Sequence, residues 1–476
     1  MINRKSIFQI TITVALGGLL FGYDTAVISG AADSLQVYFK LTPAQLGFAA
    51  SSALIGCVLG SLMAGNISGQ YGRRSALIFS AILFFISAVG SALPETLNWV
   101  TGSTYSSFIF YRVLGGIGVG IASMVSPMYI AEIAPPSKRG SLVSCNQFAI
   151  IFGMLVVYFV NYGIALLGND EWLYSVGWRY MFASECLPAG LFFVLLLGVP
   201  ETPRWLAMKG RMVEARKLIA SFNKGDDFDK QWKEIESSLS HQGTKVSPFS
   251  KAILPILILG IGLSVLQQVT GINVFLYYAP TILKSFSSST TDIALLQTVL
   301  IGAVNLTFTV IAIYSVDKFG RKPLMMFGAA AMAVSMLAIG TAAYLDAIGG
   351  YLLFFMLLYI AAFAISLGPV TWVLLSEMFP NSVRSKALSI AVFAQWFSNF
   401  LVSQTFPMMN DKASYLYQEF NGGFPFWVYG VMAIFTVYFV YRWIPETKGK
   451  SLEELEKLWD DKNKDESHGS PVTLRD

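Results

Sequence analysis

Tyr71-Gly72-Arg73-Arg74 and Phe319-Gly320-Arg321-Lys322 are two copies of one short phrase, and the repetition decides how this chain of 476 residues folds. Working outward from them, Gly22-Tyr23-Asp24 returns as Gly271-Ile272-Asn273. Glu132-Ile133-Ala134-Pro135, with Arg139 beyond it, returns as Glu377-Met378-Phe379-Pro380 with Arg384. Asn146-Gln147 returns as Ala394-Gln395, and Pro200-Glu201-Thr202 as Pro445-Glu446-Thr447. Five anchors in the same order, offset by about 245 to 249 residues, mean that two halves of one design are joined end to end.

Apolar residues make up 54% of the chain and charged residues 13%, with a mean hydropathy of +0.58. No ordinary soluble domain of this length is so apolar. Stretches of spanning length fall near 8–30, 46–66, 75–93, 106–130, 141–163 and 178–199. A second six fall near 252–283, 292–316, 323–345, 350–376, 385–407 and 424–444. A bilayer core takes about 20 apolar residues per helix. Runs this long satisfy their backbone polar groups as helices rather than as barrel strands. The predicted fold is therefore an all-α membrane protein, with twelve transmembrane helices in two six-helix bundles. The predicted divisions are an N-terminal bundle at 1–199, a cytoplasmic helical linker at 200–250, a C-terminal bundle at 251–444 and a cytoplasmic tail at 445–476.

All but five of the 33 Lys and Arg residues lie in the termini or in alternate connections; the exceptions are Lys40, Arg112, Arg179, Lys284 and Lys412. The positive-inside rule puts both termini in the cytoplasm. The same bias accounts for the net charge of +4 without a nucleic-acid partner. Met1-Ile2-Asn3-Arg4-Lys5 leads into a first span too long for a signal peptide, so that span is expected to stay as an anchor. Cys57, Cys145 and Cys186 all sit in apolar segments, which argues against structural disulfides.

Charge inside a bilayer is costly, so each buried ionisable residue is a functional candidate. Asp24 lies inside the first span and Arg112 inside the fourth; if the two helices face each other, they neutralise one another. In the repeat, Asp24 aligns with Asn273 and Arg112 with Ile360, so only one half carries the charges. Desolvation favours the neutral acid while a neighbouring guanidinium favours the carboxylate. Arginine effectively never gives up its proton, which leaves Asp24 as the titrating partner. The plainer alternative is a permanent structural salt bridge. Glu185, inside the sixth span, either assists the same coupling or only hydrogen-bonds a neighbouring helix. His241 and His468 lie in the linker and the tail, away from these groups.

The second polar cluster is uncharged. Gln267 and Gln268 precede Gly271 and Asn273, with Tyr277 following. Carboxamides donate and accept without the cost of a charge, which suits a ligand bearing many hydroxyls. On a straight helix Gln267 and Gln268 point away from Asn273. Convergence requires local unwinding, and Gly271 is the natural place for it. Gln147 and Gln395 add one amide from each half. Asn305 and Trp372 are expected to face the same cavity, and Trp396 follows Gln395; an aromatic face can stack on a sugar ring while amides take its hydroxyls. The alternative is that these residues merely glue helices together.

Charged residues at the cytoplasmic helix ends recur at equal spacing. Arg73, Glu132 and Arg139 in one half match Arg321, Glu377 and Arg384 in the other, with Asp317 beside them. They are expected to form ion pairs that lock the cytoplasmic side and release when it opens. Gly56-x-x-x-Gly60 and Gly116-x-x-x-Gly120 permit close helix packing. Gly449-Lys450-Ser451 lacks the upstream glycine of a phosphate loop, because that position is Ile444. The run Gly115 to Gly120 fails the dinucleotide spacing. Neither an ATP site nor a metal site is expected.

These residues resemble the sugar porters of the major facilitator superfamily over nearly the whole chain. The likeness rests on Gly72-Arg73-Arg74, Pro200-Glu201-Thr202-Pro203-Arg204, Gln267-Gln268 through Gly271-Ile272-Asn273 to Tyr277-Tyr278, Asp317-Lys318-Phe319-Gly320-Arg321-Lys322 and Pro445-Glu446-Thr447-Lys448-Gly449. Within the family, Met128 to Glu132, Asn146 to Gly153 and Trp372 to Glu377 are most like bacterial D-xylose–proton symporters. The resemblance implies alternating access by two bundles, with sugar contacts from Gln147, Gln267, Gln268, Asn273, Tyr277, Trp372, Gln395 and Trp396. It also implies proton coupling through Asp24 and Arg112, a proton as the coupling ion, no cofactor, and a monomer in the inner membrane. A passive facilitator and a non-transporting sugar sensor are the alternatives. One departure stands out: Gly69 and Gln70 replace the family's acidic and basic pair before Gly72, which is expected to weaken the cytoplasmic lock.

Overall fold

The computed structural model describes residues 7–135, 139–222, 253–287, 290–347, 351–379 and 383–448, with Gly349 and a few positions in 228–236 and 249–250. The tail beyond 448 and most of the linker after Phe222 lie outside the described residues. The described chain is helical throughout, with no strand among the described residues. The first six spans are Ile7–Phe39, Pro43–Tyr71, Arg73–Ala92, Thr104–Ile133, Leu142–Ala165 and Asp170–Leu197. The second half supplies Leu254–Ser285, Thr291–Val316, Arg321–Tyr344, Tyr351–Leu375 and Phe424–Trp443. The remaining predicted stretch, 385–407, is the helix Arg384–Met409. Gln395, Ser398, Asn399, Ser403 and Gln404 make that eleventh span less apolar than the rest. An even number of spans returns Ile7 and Lys448 to one face, the terminal face; the turn at 40–42 lies on the far face.

Local signals start and stop these helices. Pro43 opens the second span at a position that needs no N–H. Thr42 and Gln45 form a reciprocal capping box: the Gln45 N–H donates to Thr42 Oγ1 and the Thr42 N–H to Gln45 Oε1 at 2.9 Å. The second and fourth spans then touch backbone to backbone. A methyl group on Gly56 would strike the Val113 carbonyl, and one on Gly116 would strike the Ala53 carbonyl. The expected glycine spacing thus draws the fourth span inward, and with it Arg112.

Several spans are broken, and the breaks adjoin the candidate residues. The first span breaks at Val27, just past Asp24; the Val27 carbonyl accepts from the Gly30 N–H at 3.3 Å and from the Asn161 side-chain amide at 3.2 Å. The sixth breaks between Ala183 and Cys186, at Glu185. The seventh stops at Val269 and restarts at Ile272, with Gly271 at φ +91°. The tenth breaks at Ser366, whose hydroxyl donates back to the Ala362 carbonyl.

The duplicated motifs meet in space. Glu201 accepts from the Arg74 N–H at 2.6 Å, and Glu446 accepts from the N–H groups of Arg321 and Lys322 at 3.0 Å each. Each carboxylate therefore caps the helix that opens with the basic pair, where backbone donors lack partners. The corners need glycine: Gly72 and Gly320 sit at φ +102° and +89°, and a Cβ there would meet the capping carboxylate. Gly69, at the departure from the family pattern, offers its carbonyl to the Trp205 indole N–H at 3.0 Å.

Two glycines separate packing from propensity. Gly116→Ala is expected to push the second and fourth spans apart and destabilise the protein by about 1–3 kcal/mol. Gly65→Ala, where a Cβ meets nothing within 4 Å, is expected to be neutral or to stabilise by about 0.4–1 kcal/mol. Thermal unfolding in detergent should rank Gly65→Ala above the parent and Gly116→Ala well below it.

Candidate functional site

In the first half, Asp24 and Arg112 are both fully buried and paired. Arg112 Nη1 donates to Asp24 Oδ1 at 2.6 Å, and Nη2 donates to the Asp24 backbone carbonyl at 3.0 Å. The guanidinium also lies 5.5 Å from the centre of the Phe182 ring. Arg112 Nε has no hydrogen-bond partner among the described residues, and Asp24 Oδ2 receives no N–H donor there. The pairing is therefore incomplete, and both groups keep unused capacity in a dry setting. Tyr23 and Ser184 share a hydrogen bond of 2.7 Å, which sets Asp24 and Glu185, each next in the chain, on facing spans. Glu185 is buried, and its carboxyl lies within hydrogen-bonding reach of the Asp24 carboxyl, so the two acids face each other. In the second half the position matching Arg112, Ile360, is buried and apolar.

In the second half the break at Gly271 does what the amide spacing required. Asn273 Nδ2 donates to Gln268 Oε1 at 2.6 Å, and Gln268 Nε2 to Gln267 Oε1 at 3.2 Å. Gln395 Nε2 also donates to Gln267 Oε1, at 2.6 Å. Gln267 Nε2 in turn donates to the carbonyls of Leu367 and Gly368 at 2.9 and 3.2 Å, beside the break in the tenth span. The Tyr359 hydroxyl takes the Thr270 carbonyl at 2.8 Å, so the unwound backbone is satisfied. Four amides from three helix segments thus form one network with Gln267 at its centre. Gln395 Oε1, Trp396 Nε1 and Thr371 Oγ1 are buried without partners among the described residues. A hydroxylated ligand could use such groups.

The other candidates are placed less tightly. Tyr277 is buried in the half-helix after the break, and Asn305 is buried in the eighth span; Gln147 and Trp372 are half-buried. No hydrogen bond ties Gln147, Asn305 or Trp372 to the amide network among the described residues. Phe21, absent from the sequence-based set, packs against Trp396 across the halves, with ring centres 5.5 Å apart and planes tilted by 53°. Its only sequence signal is its place one turn before Asp24. Among the described residues, hydrogen bonds joining the halves include Ser51 to Gln404, Gln404 to the Ala44 carbonyl, Tyr158 to the Leu276 carbonyl, Thr281 and Lys284 to Asp33, and Lys284 to Tyr174. All lie toward the far face.

At the terminal face, Arg73 grips Glu132 from Nε at 3.2 and 3.1 Å and from Nη2 at 2.9 Å, and Thr202 donates to the same carboxylate. All three belong to the first half, so this pair braces one bundle internally. Arg321 uses its backbone N–H on Glu446 and its Nη1 on the Val316 carbonyl at 3.3 Å, within the second half. The side chains of Arg139, Asp317, Glu377 and Arg384 lie outside the described residues. Burial holds the Glu201 carboxyl above the usual carboxylate range, against the backbone N–H it caps and the nearby arginines. No group of three or more metal-ligating side chains occurs among the described residues.

Comparison with known proteins fits this geometry. The family model described as "Sugar (and other) transporter" matches residues 10–459. The chain is 51% identical to the D-xylose-proton symporter of Escherichia coli strain K12, covering 97% of both. It is 41% identical to the glucose facilitated diffusion protein of Zymomonas mobilis, covering 96% of this chain and 98% of that one. Its structure superposes on a partially occluded inward-open conformation of the E. coli xylose transporter XylE with a TM-score of 0.82 and 48% identity, over 93% of this chain and all of the other. The protein therefore belongs to the sugar transporter family.

Proposed function

We propose that this protein imports a monosaccharide of the D-xylose type together with protons, by alternating access. In this reading it is a monomer in the inner membrane, and the terminal face is cytoplasmic. The observation that carries it is the division of labour between the halves. One half buries an ionisable pair, Asp24 with Arg112 at 2.6 Å; the other gathers uncharged amides around Gln267. The similarity to a D-xylose-proton symporter supports the substrate class.

The mechanism follows from the chemistry of the two clusters. Removing one partner of a buried ion pair leaves a bare charge, at about 3–5 kcal/mol. Asp24 can leave Arg112 only by taking a proton, so separation of the first and fourth spans is tied to protonation. The sugar is held by amides on both sides of the Gly271 break, where it replaces part of the Asn273–Gln268–Gln267 chain that joins the Ile272–Ser287 half-helix to the segment before the break. With the far face tied and the pair intact, the structure corresponds to the state after proton and sugar have left toward the terminal face. One charge crossing 100 mV supplies about 2.3 kcal/mol, enough for roughly fortyfold accumulation at about 1.4 kcal/mol per decade.

Asp24→Asn is expected to abolish accumulation of labelled xylose in vesicles under an inward proton gradient while retaining sugar–sugar exchange. Undiminished accumulation by this variant would refute proton coupling through Asp24. A parent protein that only equilibrates xylose would instead mark a passive facilitator. Gln267→Ala removes the acceptor of two amides and is expected to weaken xylose binding about 10- to 100-fold, at about 1–3 kcal/mol for the groups left unpaired. Titration calorimetry with xylose, and competition by glucose, galactose and arabinose, would measure the loss and rank the sugars.

A further inference from the structure

Asp33 belongs to neither cluster, yet it is the acid that joins the halves. Its Oδ2 accepts from Lys284 Nζ at 2.9 Å and its Oδ1 from the Thr281 hydroxyl at 2.8 Å, so both carboxylate oxygens are engaged by the other half. Asp33 and Lys284 are about three-quarters buried. The ammonium also lies 5.9 Å from the centre of the Tyr174 ring, on the same side of the interface as Asp33. The residues around this link give it direction. Thr281 follows Tyr277 by one helical turn on the half-helix that starts at Ile272. Asp33 follows Asp24 on the first span, beyond the break at Val27. The link therefore ties the segment bearing the sugar-side residues to the one bearing the proton-side acid.

We propose that Asp33, Lys284 and Thr281 are positioning residues that fasten the far face shut and must part for it to open. Opening exposes an ammonium and a carboxylate to water, so the link biases the equilibrium without locking it. The functional consequence rests on the alternating-access reading, but its test does not require transport. Leu46 is 4% exposed and lines a cavity of about 290 Å³ between the halves, beside Tyr278 and Thr281. Leu46→Cys, in full-length protein with Cys57, Cys145 and Cys186 changed to Ser, reports opening as its rate of reaction with a membrane-impermeant maleimide applied at the far face.

Asp33→Asn and Lys284→Met are each expected to raise that rate about fivefold, equivalent to about 1 kcal/mol at about 1.4 kcal/mol per decade. The exchanged pair Asp33→Lys with Lys284→Asp, and the conservative Asp33→Glu, are expected to return it toward the parent rate. Single variants that label at the parent rate would overturn the proposal. So would an exchanged pair that labels as fast as the single variants, since a merely structural loosening would not be rescued by restoring charge complementarity. A protein that carried no sugar would leave these labelling rates unchanged and would count only against the transport reading.

Discussion

A polar group inside a bilayer has to find its partner within the chain, and most of this structure follows from that constraint. It makes the spans helical, because only a helix satisfies its backbone internally over such a length. It also explains why the helices break only where something else is ready to bond the freed groups. Tyr359 answers Thr270, and the Ser366 hydroxyl turns back on Ala362. The same rule joins Asp24 to Arg112: neither tolerates burial alone, so the first and fourth spans are held in register by charge.

The two halves share a scaffold and differ in chemistry. Glycine corners capped by Glu201 and Glu446 recur in both halves, with Glu201 on the Arg74 N–H and Glu446 on those of Arg321 and Lys322. The interior positions have diverged. Where one half holds Arg112, the other holds Ile360, and where one holds Asp24, the other holds Asn273. The frame is symmetric and its lining is not: one bundle buries an ion pair, the other a chain of uncharged amides.

Much of this was legible in the residues. The repeat anchors predicted twelve spans, the amide spacing demanded unwinding at Gly271, and the lone charges in the first and fourth spans implied their pairing. What escaped the sequence reading is instructive. Lys284 looked like one of a few stray cations on the far face, because nothing in linear order brings it to Asp33, 251 residues away. Phe21 carries no polar signal, so its packing against Trp396 emerges only from the way the halves meet. The break at Ser366 had a cue in Gly368-Pro369 just beyond it, whereas the break at Val27 has no proline beside it and only Gly30 beyond. Ion pairs between halves were expected at the terminal face from equal spacing alone. Spacing does not say which half supplies a partner, and one arginine that Glu132 takes, Arg73, comes from its own bundle.

The interruption at Gly271 makes the seventh span two rods on a swivel. Gln267 and Gln268 sit on one rod, Asn273 and Tyr277 on the other. A small ligand that touches both acts as a splint across the joint. A glycoside whose ring satisfies the amides but whose bulky substituent wedges the second rod outward would occupy the cavity without letting the swivel turn. On the proposed reading, blockers of this protein are best sought among sugars enlarged by a bulky substituent, not among those stripped of hydroxyls.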